Sequence, residues 1–352
     1  MNDGAEQVFG YPKEELIGKK RVSIFSPGEI VLQNVEGWLD EAVKKGEYIG
    51  KTYFIKKNKE KFNAKIRITP TFANGKDKAQ TGYCGVTEVI EENVDVPINF
   101  STKLIKGLAI TRMPFTSASI LPILAVGAYF AGVGDGLFNI LNFVLCIFGV
   151  LIAHLSVNVL NDYFDFKDGT DEENNDYFQQ VSGGSRAIEL GLITLAGTKK
   201  LGTILTIVAL LIGGVILFSI NPANVDAVLM ITLIGLFLGY FYTAPPLRLV
   251  ARRGLGELTI FLTFGPLITL GTAFAIFNGD LSMAQEHLMN CLYIGIPMGL
   301  LTTNILLINE FPDMKSDTKT NKNHLVVTFG KKASRWIYLL ILGLTAYTTL
   351  ML

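Results

Sequence analysis

Seven segments of this chain are long and apolar enough to cross a lipid bilayer. A spanning helix needs about 20 mostly apolar residues, and in each segment charge is absent or confined to the ends. Seven such segments in series are typical of an all-α, multi-pass membrane bundle, and a large soluble protein would hardly bury so many. They lie at residues 113–132, 137–160, 201–220, 226–243, 256–277, 286–308 and 334–352.

Charge divides the chain into two parts. Residues 1–100 hold 15 of the 31 Lys and Arg and 15 of the 31 Asp and Glu, while the remainder is rich in Leu, Ile, Gly and Phe. The formal net charge is zero, so the composition indicates no nucleic-acid partner. The three cysteines, Cys84, Cys146 and Cys291, form no CxxC pair, which predicts neither a disulfide framework nor a zinc site.

The loops between the apolar segments differ in their basic residues. The connections near 133–136, 221–225 and 278–285 contain no Lys or Arg, whereas the alternate connections carry 13 between Lys167 and Arg335. Cytoplasmic loops of membrane proteins carry an excess of Lys and Arg. The sequence therefore predicts a multi-pass cell-membrane protein with its basic loops and its N-terminal 100 residues in the cytoplasm.

The N-terminal part is predicted to be a small α+β module over residues 1–91, joined by a linker at 92–105 to a membrane domain at 106–352. Short helices are expected at 12–16 and 37–45, and period-2 alternation predicts strands at 51–57, 61–72 and 81–90. The runs AEQVFGYPKEELIGK and GYCGVTEVIEE resemble a PAS sensor domain. A PAS domain normally begins with two more strands, so we expect an incomplete module. The resemblance implies a ligand or a dimer partner, and a module that senses nothing is the alternative.

Two acidic motifs end apolar segments on the same predicted side of the membrane. The second segment runs into NDYFDFKDGTD, which begins at Asn161, and the sixth runs into NEFPDMKSD, which begins at Asn309. Residues four apart share a helix face, so Asn161 lies beside Asp165, and Asn309 beside Asp313. Carboxylates gathered at a membrane boundary repel one another and are costly to desolvate. Mg²⁺ prefers oxygen ligands and is often held by one or two carboxylates together with substrate phosphates.

A diphosphate ligand would also need direct positive charge. Arg186 follows the first motif in SGGSR, Lys322 follows the second, Arg248 follows YTAPP, and Arg112 precedes the first segment. Each of these side chains is a candidate for diphosphate binding, and Tyr242 of the YTAPP run lies beside them. For each basic residue, the alternative is that it only sets the membrane topology.

The motif pair, with YTAPPLRLVARRGLGELTIFLTFGPLITLGTAF between its members, resembles the UbiA prenyltransferase superfamily, in the branch of 1,4-dihydroxy-2-naphthoate polyprenyltransferases. This resemblance, which covers residues from about 104 to the end, implies a nine-span fold. It also implies that Mg²⁺ and the prenyl diphosphate are bound at Asn161, Asp162, Asp165, Asp171, Asp313 and Asp317. Two departures stand out: NKNH replaces the family's usual Gly-Lys-Arg/Thr-Thr after the second motif, and the chain stops during its seventh span. We therefore expect a fragment of a longer protein.

The resulting hypothesis is an Mg²⁺-dependent prenyltransferase that moves an isoprenyl group from a polyprenyl diphosphate to an aromatic acceptor such as 1,4-dihydroxy-2-naphthoate. Asp162, Asp165, Asp313 and Asp317 are the expected catalytic carboxylates, and Asn161, Asn309 and Asp171 are further expected metal ligands. Alternatives are another acceptor, such as a phenazine, another aromatic compound or a glycerol-phosphate ether lipid. A PAS-linked membrane sensor without catalysis is a rival from a different class, as is a transporter, although transporter coupling sites usually lie near the midplane.

Overall fold

The structure is a computed structural model that describes residues 1–17, 24–75, 79–134, 136–168, 185, 187–188, 191–279 and 281–352. The chain forms two compact units. The first comprises residues 1–110 with 186–194, and the second comprises residues 111–185 with 195–352.

The first unit is a small α+β module, as predicted. Its described residues form an antiparallel sheet of three strands in the order β1-β2-β3, with helices before it and one after it. The elements are α1 (Asp3–Phe9), α2 (Lys13–Leu16), α3 (Gly28–Ile30), a π-helical turn (Val31–Val35), α4 (Glu36–Lys45), β1 (Tyr48–Ile55), β2 (Lys61–Thr71), β3 (Gly82–Val89) and α5 (Phe100–Thr111).

An aromatic cluster forms the core of this module. Thr52 and Phe54 are buried on one face of β1, while their neighbours point away, which is the period-2 pattern of a half-covered sheet. Phe9 packs against Phe25 and Phe54 with ring centroids 4.3 and 5.4 Å apart. The expected strands and the helices near 12–16 and 37–45 are thus confirmed. The expectation missed α1, which has only Phe9 buried and is too short to show a periodic pattern.

The linker predicted at 92–105 contains the start of a helix. α5 begins at Phe100, and the side chain of Asn99 accepts the backbone N–H of Thr102 at 2.7 Å. An Asn side chain in this position satisfies one of the free N–H groups of a first helical turn.

The second unit is a helical membrane bundle. Its elements are α6 (Ser117–Val133), α7 (Ile140–Lys167), α8 (Leu195–Ser219), α9 (Val225–Phe241), α10 (Leu255–Leu262), a π-helical turn (Thr263–Leu267), α11 (Ile268–Ile276), α12 (Leu281–Lys319) and α13 (Leu325–Leu350). Apolar side chains of α8 and α9 such as Leu211, Phe218 and Leu233 are exposed, as expected where helices face lipid.

Six helical segments among the described residues are long and apolar enough to span a membrane, starting at Met113, Ile140, Leu195, Pro222, Leu255 and Glu286. These six correspond to the first six predicted spans. The seventh predicted segment lies in α13 but is not among the six, since Arg335 and several Thr and Tyr residues dilute its apolar character.

Helices α7 and α12 are longer than a membrane requires. The 39 residues of α12 give a length of about 58 Å at ~1.5 Å per residue, against a hydrocarbon core of ~30 Å. The second acidic motif occupies the C-terminal part of α12, and the first ends α7. Both helices therefore carry their polar ends beyond the apolar stretch.

Small residues allow the central helices to approach closely. A Cβ atom added to Gly265 would lie 2.5 Å from the carbonyl oxygen of Gly295 and 2.9 Å from Cα of Gly299. Gly295 and Gly299 form a small-xxx-small pair on α12, a pattern that lets membrane helices pack backbone to backbone. This contact joins the π-helical turn to the part of α12 that precedes the second motif.

Near the N-terminal end of α7, asparagine side chains form hydrogen bonds to the ends of neighbouring helices. The buried side chain of Asn142 donates to the carbonyl of Ala275 at 2.9 Å and accepts the Ser219 hydroxyl at 2.6 Å. Asn224 likewise donates to the carbonyl of Phe274 at 3.0 Å. Satisfying the last carbonyls of α11 in this way is important because a buried unpaired carbonyl is costly.

Candidate active site

The first acidic motif lies on the last turns of α7. Asp162 is buried, and both of its carboxylate oxygens face the backbone N–H of Ser185, at 3.2 and 3.3 Å. The carbonyl group of the Asn161 side chain accepts the hydroxyl of Thr243 at 2.7 Å. Asn158, one turn earlier, donates to the carbonyl of Thr111 at 3.1 Å. The motif is therefore held by three other segments of the second unit.

The second motif lies on the C-terminal part of α12. Asp313 and Asp317 are four residues apart and both buried, while Asn309 is half-buried. Ser316, also buried, donates its hydroxyl to the carbonyl of Asp313 at 2.8 Å. The helix ends two residues after Asp317, whose carbonyl accepts the backbone N–H of Lys322 at 2.9 Å.

Lys322 connects the two motifs. Its Nζ lies 3.6 Å from Oδ2 of Asp165, and only 15% and 13% of the two side chains is exposed. Because the backbone of Lys322 follows directly from the second motif, this ion pair brings the two helix ends within one lysine side chain of each other. The predicted proximity of the motifs is therefore present in the structure.

The YTAPP segment and its continuation border the same region. Nε of Arg248 lies 3.2 Å from Oδ2 of Asp168, just after α7. Arg248 has a positive φ of 42°, an unusual backbone conformation for a side chain of this size. The backbone N–H of Arg253 donates to the carbonyl of Asn323 at 2.8 Å. This segment therefore contacts Asp168 of the first motif and Asn323, which follows the second motif.

Of the remaining predicted residues, the structure describes some and leaves others out. Tyr242 is half-buried, and its carbonyl accepts the N–H of Val250 at 2.9 Å. Arg112 lies over the ring of Phe115 at 5.1 Å and interacts electrostatically with Asp162. Arg186 and Asp171 lie outside the described residues.

Three buried residues in or beside the second motif, His324, Glu310 and Glu257, were not given a role from the sequence. His324 lies between two carboxylates: its Nε2 is 3.1 Å from Asp317 and its Nδ1 is 3.1 Å from Glu310. Glu257 of α10 accepts the N–H of Leu325 at 2.7 Å. All three are almost completely buried. An NKNH run just before an apolar helix was the available clue, since His324 is the residue that precedes α13.

His324 is held as a cation by its neighbours. Burial alone would lower the pKa of its imidazole, but the hydrogen bonds to Asp317 and Glu310 raise it to about 9. Nδ1 also lies 3.4 Å from the N–H of Val327. Nδ1 therefore faces both the Glu310 carboxylate and the first turn of α13. A charged His324 offsets the negative charge that Glu310 and Asp317 would otherwise leave buried.

Two buried acids nevertheless keep unpaired oxygens. Among the described residues, Oε2 of Glu257 and Oε1 of Glu310 have no hydrogen-bond partner, and Oε2 of Glu310 has only its 3.1 Å contact with the His324 ring. Nor do any three His, Cys, Asp or Glu side chains of that part of the chain converge closely enough to hold a metal ion by themselves. Buried Asp162, Asp313 and Asp317 on two adjacent helix ends fit an ion that completes its shell with phosphate oxygens and water, which is how Mg²⁺ is commonly bound.

The fold is a multi-pass helical bundle, and its buried carboxylates lie at one end of two long helices. These features define a class of membrane proteins with an acidic site at one end of the bundle. The sequence profile of the UbiA prenyltransferase family matches residues 119–352, and a PAS domain profile matches residues 1–89. The chain belongs to the UbiA prenyltransferase family, which places it among enzymes that transfer prenyl groups. Both resemblances noted from the sequence are confirmed.

Similar proteins include several naphthoquinone prenyltransferases. The chain is 29% identical to 2-carboxy-1,4-naphthoquinone phytyltransferase from Arabidopsis thaliana over 82% of this chain and 72% of that protein. It is 28% identical to 1,4-dihydroxy-2-naphthoate octaprenyltransferase from Haemophilus influenzae over 66% of this chain and 71% of that protein. A solved structure of a UbiA homologue from Archaeoglobus fulgidus, bound to GPP and Mg²⁺, has 16% identity and a TM-score of 0.49, covering 70% of this chain and 78% of that chain.

Proposed function

We propose that this chain transfers an isoprenyl group from a polyprenyl diphosphate to an aromatic acceptor such as 1,4-dihydroxy-2-naphthoate, and that it requires Mg²⁺. The observation that carries the proposal is the Lys322–Asp165 ion pair, which joins two buried acidic motifs at one end of an apolar bundle. The naphthoate acceptor is supported by the names of the relatives in Arabidopsis and Haemophilus.

The metal would be held by the oxygen atoms of the two motifs. These are Asn161, Asp162, Asp165 and Asp171 in the first motif, and Asn309, Asp313 and Asp317 in the second. When bound, Mg²⁺ supplies positive charge that stabilises the departing diphosphate. The hydrogen bonds that hold the Asp162 carboxylate at Ser185 and the Asp317 carboxylate at His324 support this role.

Basic side chains supply direct contacts to the diphosphate. Lys322 and Arg248 each lie next to an acid of the first helix end, so each can turn from a carboxylate to a phosphate oxygen without a large movement. Arg112, Arg186 and Tyr242 complete the proposed diphosphate-binding set. Charge-assisted hydrogen bonds of this kind are about twice as strong as neutral ones.

The reaction breaks the allylic carbon–oxygen bond and forms a bond to the acceptor ring. The leaving diphosphate takes both electrons of the broken bond, and its charge is stabilised by the basic residues. The isoprenyl tail lies in the apolar bundle, which keeps water from the allylic cation. The electron-rich ring then attacks this cation and regains its aromaticity by losing either a proton or, from its carboxylate group, carbon dioxide, so charge and atoms balance.

The site lies on the cytoplasmic side in this proposal. Its support is the distribution of basic residues, with 13 in the loops on the side of the motifs and none in the other connections. A cysteine-labelling experiment on intact cells would test it: Lys315→Cys, on the exposed face of α12, should be protected from impermeant reagents until the membrane is opened.

A mass-spectrometric prenylation assay tests the activity. Membranes containing the protein receive Mg²⁺, geranylgeranyl diphosphate and 1,4-dihydroxy-2-naphthoate, with EDTA as the control. An EDTA-sensitive prenylated product establishes both the reaction and the acceptor. Diphosphate consumption without this product would keep the prenyltransferase and reject the naphthoate acceptor. Absence of both, from protein shown to be inserted, would refute the proposal.

A further inference from the structure

Helix α5 has two different faces. Thr102, Lys106 and Ile110, four residues apart, form the face that is buried or partly buried. The side chains of Phe100 and Leu104, on another face, are 80% and 53% exposed, and Ile105 beside them is also exposed. A stripe of large apolar side chains in water is unfavourable, and on one face of a short helix it usually marks a binding surface.

The inner face of α5 is fixed to the first unit by polar contacts. Oε1 of Gln33 accepts the N–H of Asn99 at 3.0 Å and the hydroxyl of Thr102 at 2.9 Å. One turn further along, Nζ of Lys106 lies 2.5 Å from Oε1 of Glu29. Glu29 and Gln33 are four residues apart, as are Thr102 and Lys106, so the two helical faces match turn for turn.

The end of α5 lies directly before the point where the chain enters the bilayer. The helix ends at Thr111, and the first spanning segment starts at Met113. Between them, Arg112 adopts a left-handed conformation with a φ of 52°, which interrupts the helical backbone. A helix that stops and turns one residue before a membrane span is placed at the membrane surface by the chain itself.

We propose that α5 is an interfacial helix whose apolar stripe of Phe100, Leu104 and Ile105 inserts into the boundary between lipid headgroups and acyl chains. Amphipathic helices commonly lie in this plane with their apolar face buried a few ångströms deep, about 5–10 Å. The exposed Lys103, next to the stripe, is suited to lipid phosphate groups. The opposite face of α5 carries Thr102 and Lys106, so the helix links the PAS-type module to the lipid.

This inference is independent of the proposed catalytic function. It concerns α5 and the module rather than the acidic site, and it makes the contacts of Gln33 and Glu29 the connection through which the module would act on the membrane. A change in the module that breaks the Lys106–Glu29 pair would free α5 from one partner while leaving it bound to lipid.

Spin labels on the full chain in lipid nanodiscs test this placement. Cys84, the exposed native cysteine, is replaced by serine, whereas Cys146 and Cys291 are buried and stay. Labels are then attached at Leu104→Cys and, as a matched control, at Val43→Cys, an apolar residue of α4 that is 50% exposed. Accessibility is compared for oxygen, which concentrates in lipid, and for a water-soluble nickel chelate.

The expected result is a reversal between the two positions. The label at 104 should be more accessible to oxygen than to nickel, and the label at 43 more accessible to nickel. A scan over positions 100–108 should repeat the oxygen preference at 100 and 104 and reduce both accessibilities at 102 and 106. Equal nickel accessibility at 104 and 43 would overturn the proposal. Dipolar broadening between labels at 104 on separate chains would overturn it too, in favour of a second copy of this protein.

Discussion

Replacing Lys322 with methionine should have opposite effects on the binding of metal and of diphosphate. The Lys322 ammonium lies 3.6 Å from the Asp165 carboxylate, with both side chains mostly buried. In the protein without substrate, this ammonium is the counter-ion of the Asp165 carboxylate. A metal ion that binds Asp165 must therefore displace it or share the carboxylate with it.

The magnitude follows from the distance. Two unit charges 3.6 Å apart attract with about 5 kcal/mol at an effective dielectric constant of ~20. Desolvation and side-chain entropy offset most of this, and a partly buried pair retains roughly 1–2 kcal/mol. Removing the competing charge should thus raise the affinity for Mg²⁺ alone by about tenfold, because ~1.4 kcal/mol corresponds to a factor of ten.

The affinity for prenyl diphosphate should fall in the same variant. At saturating Mg²⁺, the Lys322 ammonium can turn from Asp165 to a phosphate oxygen, and a charged hydrogen bond contributes about 1.5–3 kcal/mol. Lys322→Met is therefore expected to weaken diphosphate binding by roughly tenfold or more. A residue that acted only on the diphosphate would leave the metal-only affinity unchanged.

Thermal unfolding of the purified protein measures both effects. The unfolding midpoint is recorded against Mg²⁺ or Mn²⁺ concentration without substrate, and then against geranylgeranyl diphosphate at saturating metal. Lys315→Met is the control, since Lys315 carries the same charge on the exposed face of α12 near the same motif. The reasoning is refuted if Lys322→Met weakens metal binding or if Lys315→Met strengthens it equally.

Three further changes test other parts of the structure. Asp165→Ala or Asp313→Ala should abolish turnover while membrane fractionation still finds the protein inserted; full activity in either would reject the metal-site assignment. His324→Asn keeps a good helix N-cap residue but removes both carboxylate contacts, so unfolding should cost about 3 kcal/mol less. The control is His287→Asn, because the ring of His287 is hydrogen-bonded to the hydroxyl of Tyr129; its free energy of unfolding should fall by only ~1 kcal/mol. Equal losses in the two variants would contradict the bridging role of His324. Asn142→Leu should destabilise by about 1–3 kcal/mol, seen as an earlier thermal midpoint, by leaving a buried carbonyl unpaired; since the acidic site lies at the other end of α7, the KM values of the folded fraction should not change.

The sequence alone determined the architecture of the membrane part. Hydrophobic length is a local property, and the bilayer forces each apolar stretch into a helix because its backbone groups find no other partners. The first six predicted spans coincide with helices for this reason. The first two strands of the module were equally predictable, since β1 and β2 alternate in burial along part of their length, whereas β3 is mostly exposed.

The sequence also identified acidic residues that gather at the two helix ends. Asp and Asn at four-residue spacing share a helix face whatever the rest of the fold does. Asp162, Asp313 and Asp317 are therefore found buried at the helix ends where the pattern predicts them. Their roles in metal and diphosphate binding stay predictions until the variants above are measured.

Only the tertiary structure decided which side chains meet across helices. The ion pair of Lys322 with Asp165, the bridge of His324 between Glu310 and Asp317, and the contact of Glu257 with Leu325 each join residues brought together by packing. The two faces of α5 depend likewise on Gln33, which is 69 residues away from Thr102. Such pairings are set by the approach of whole helices, which here depends on contacts such as Gly265 against Gly295. Local patterns along the chain carry no information on that approach.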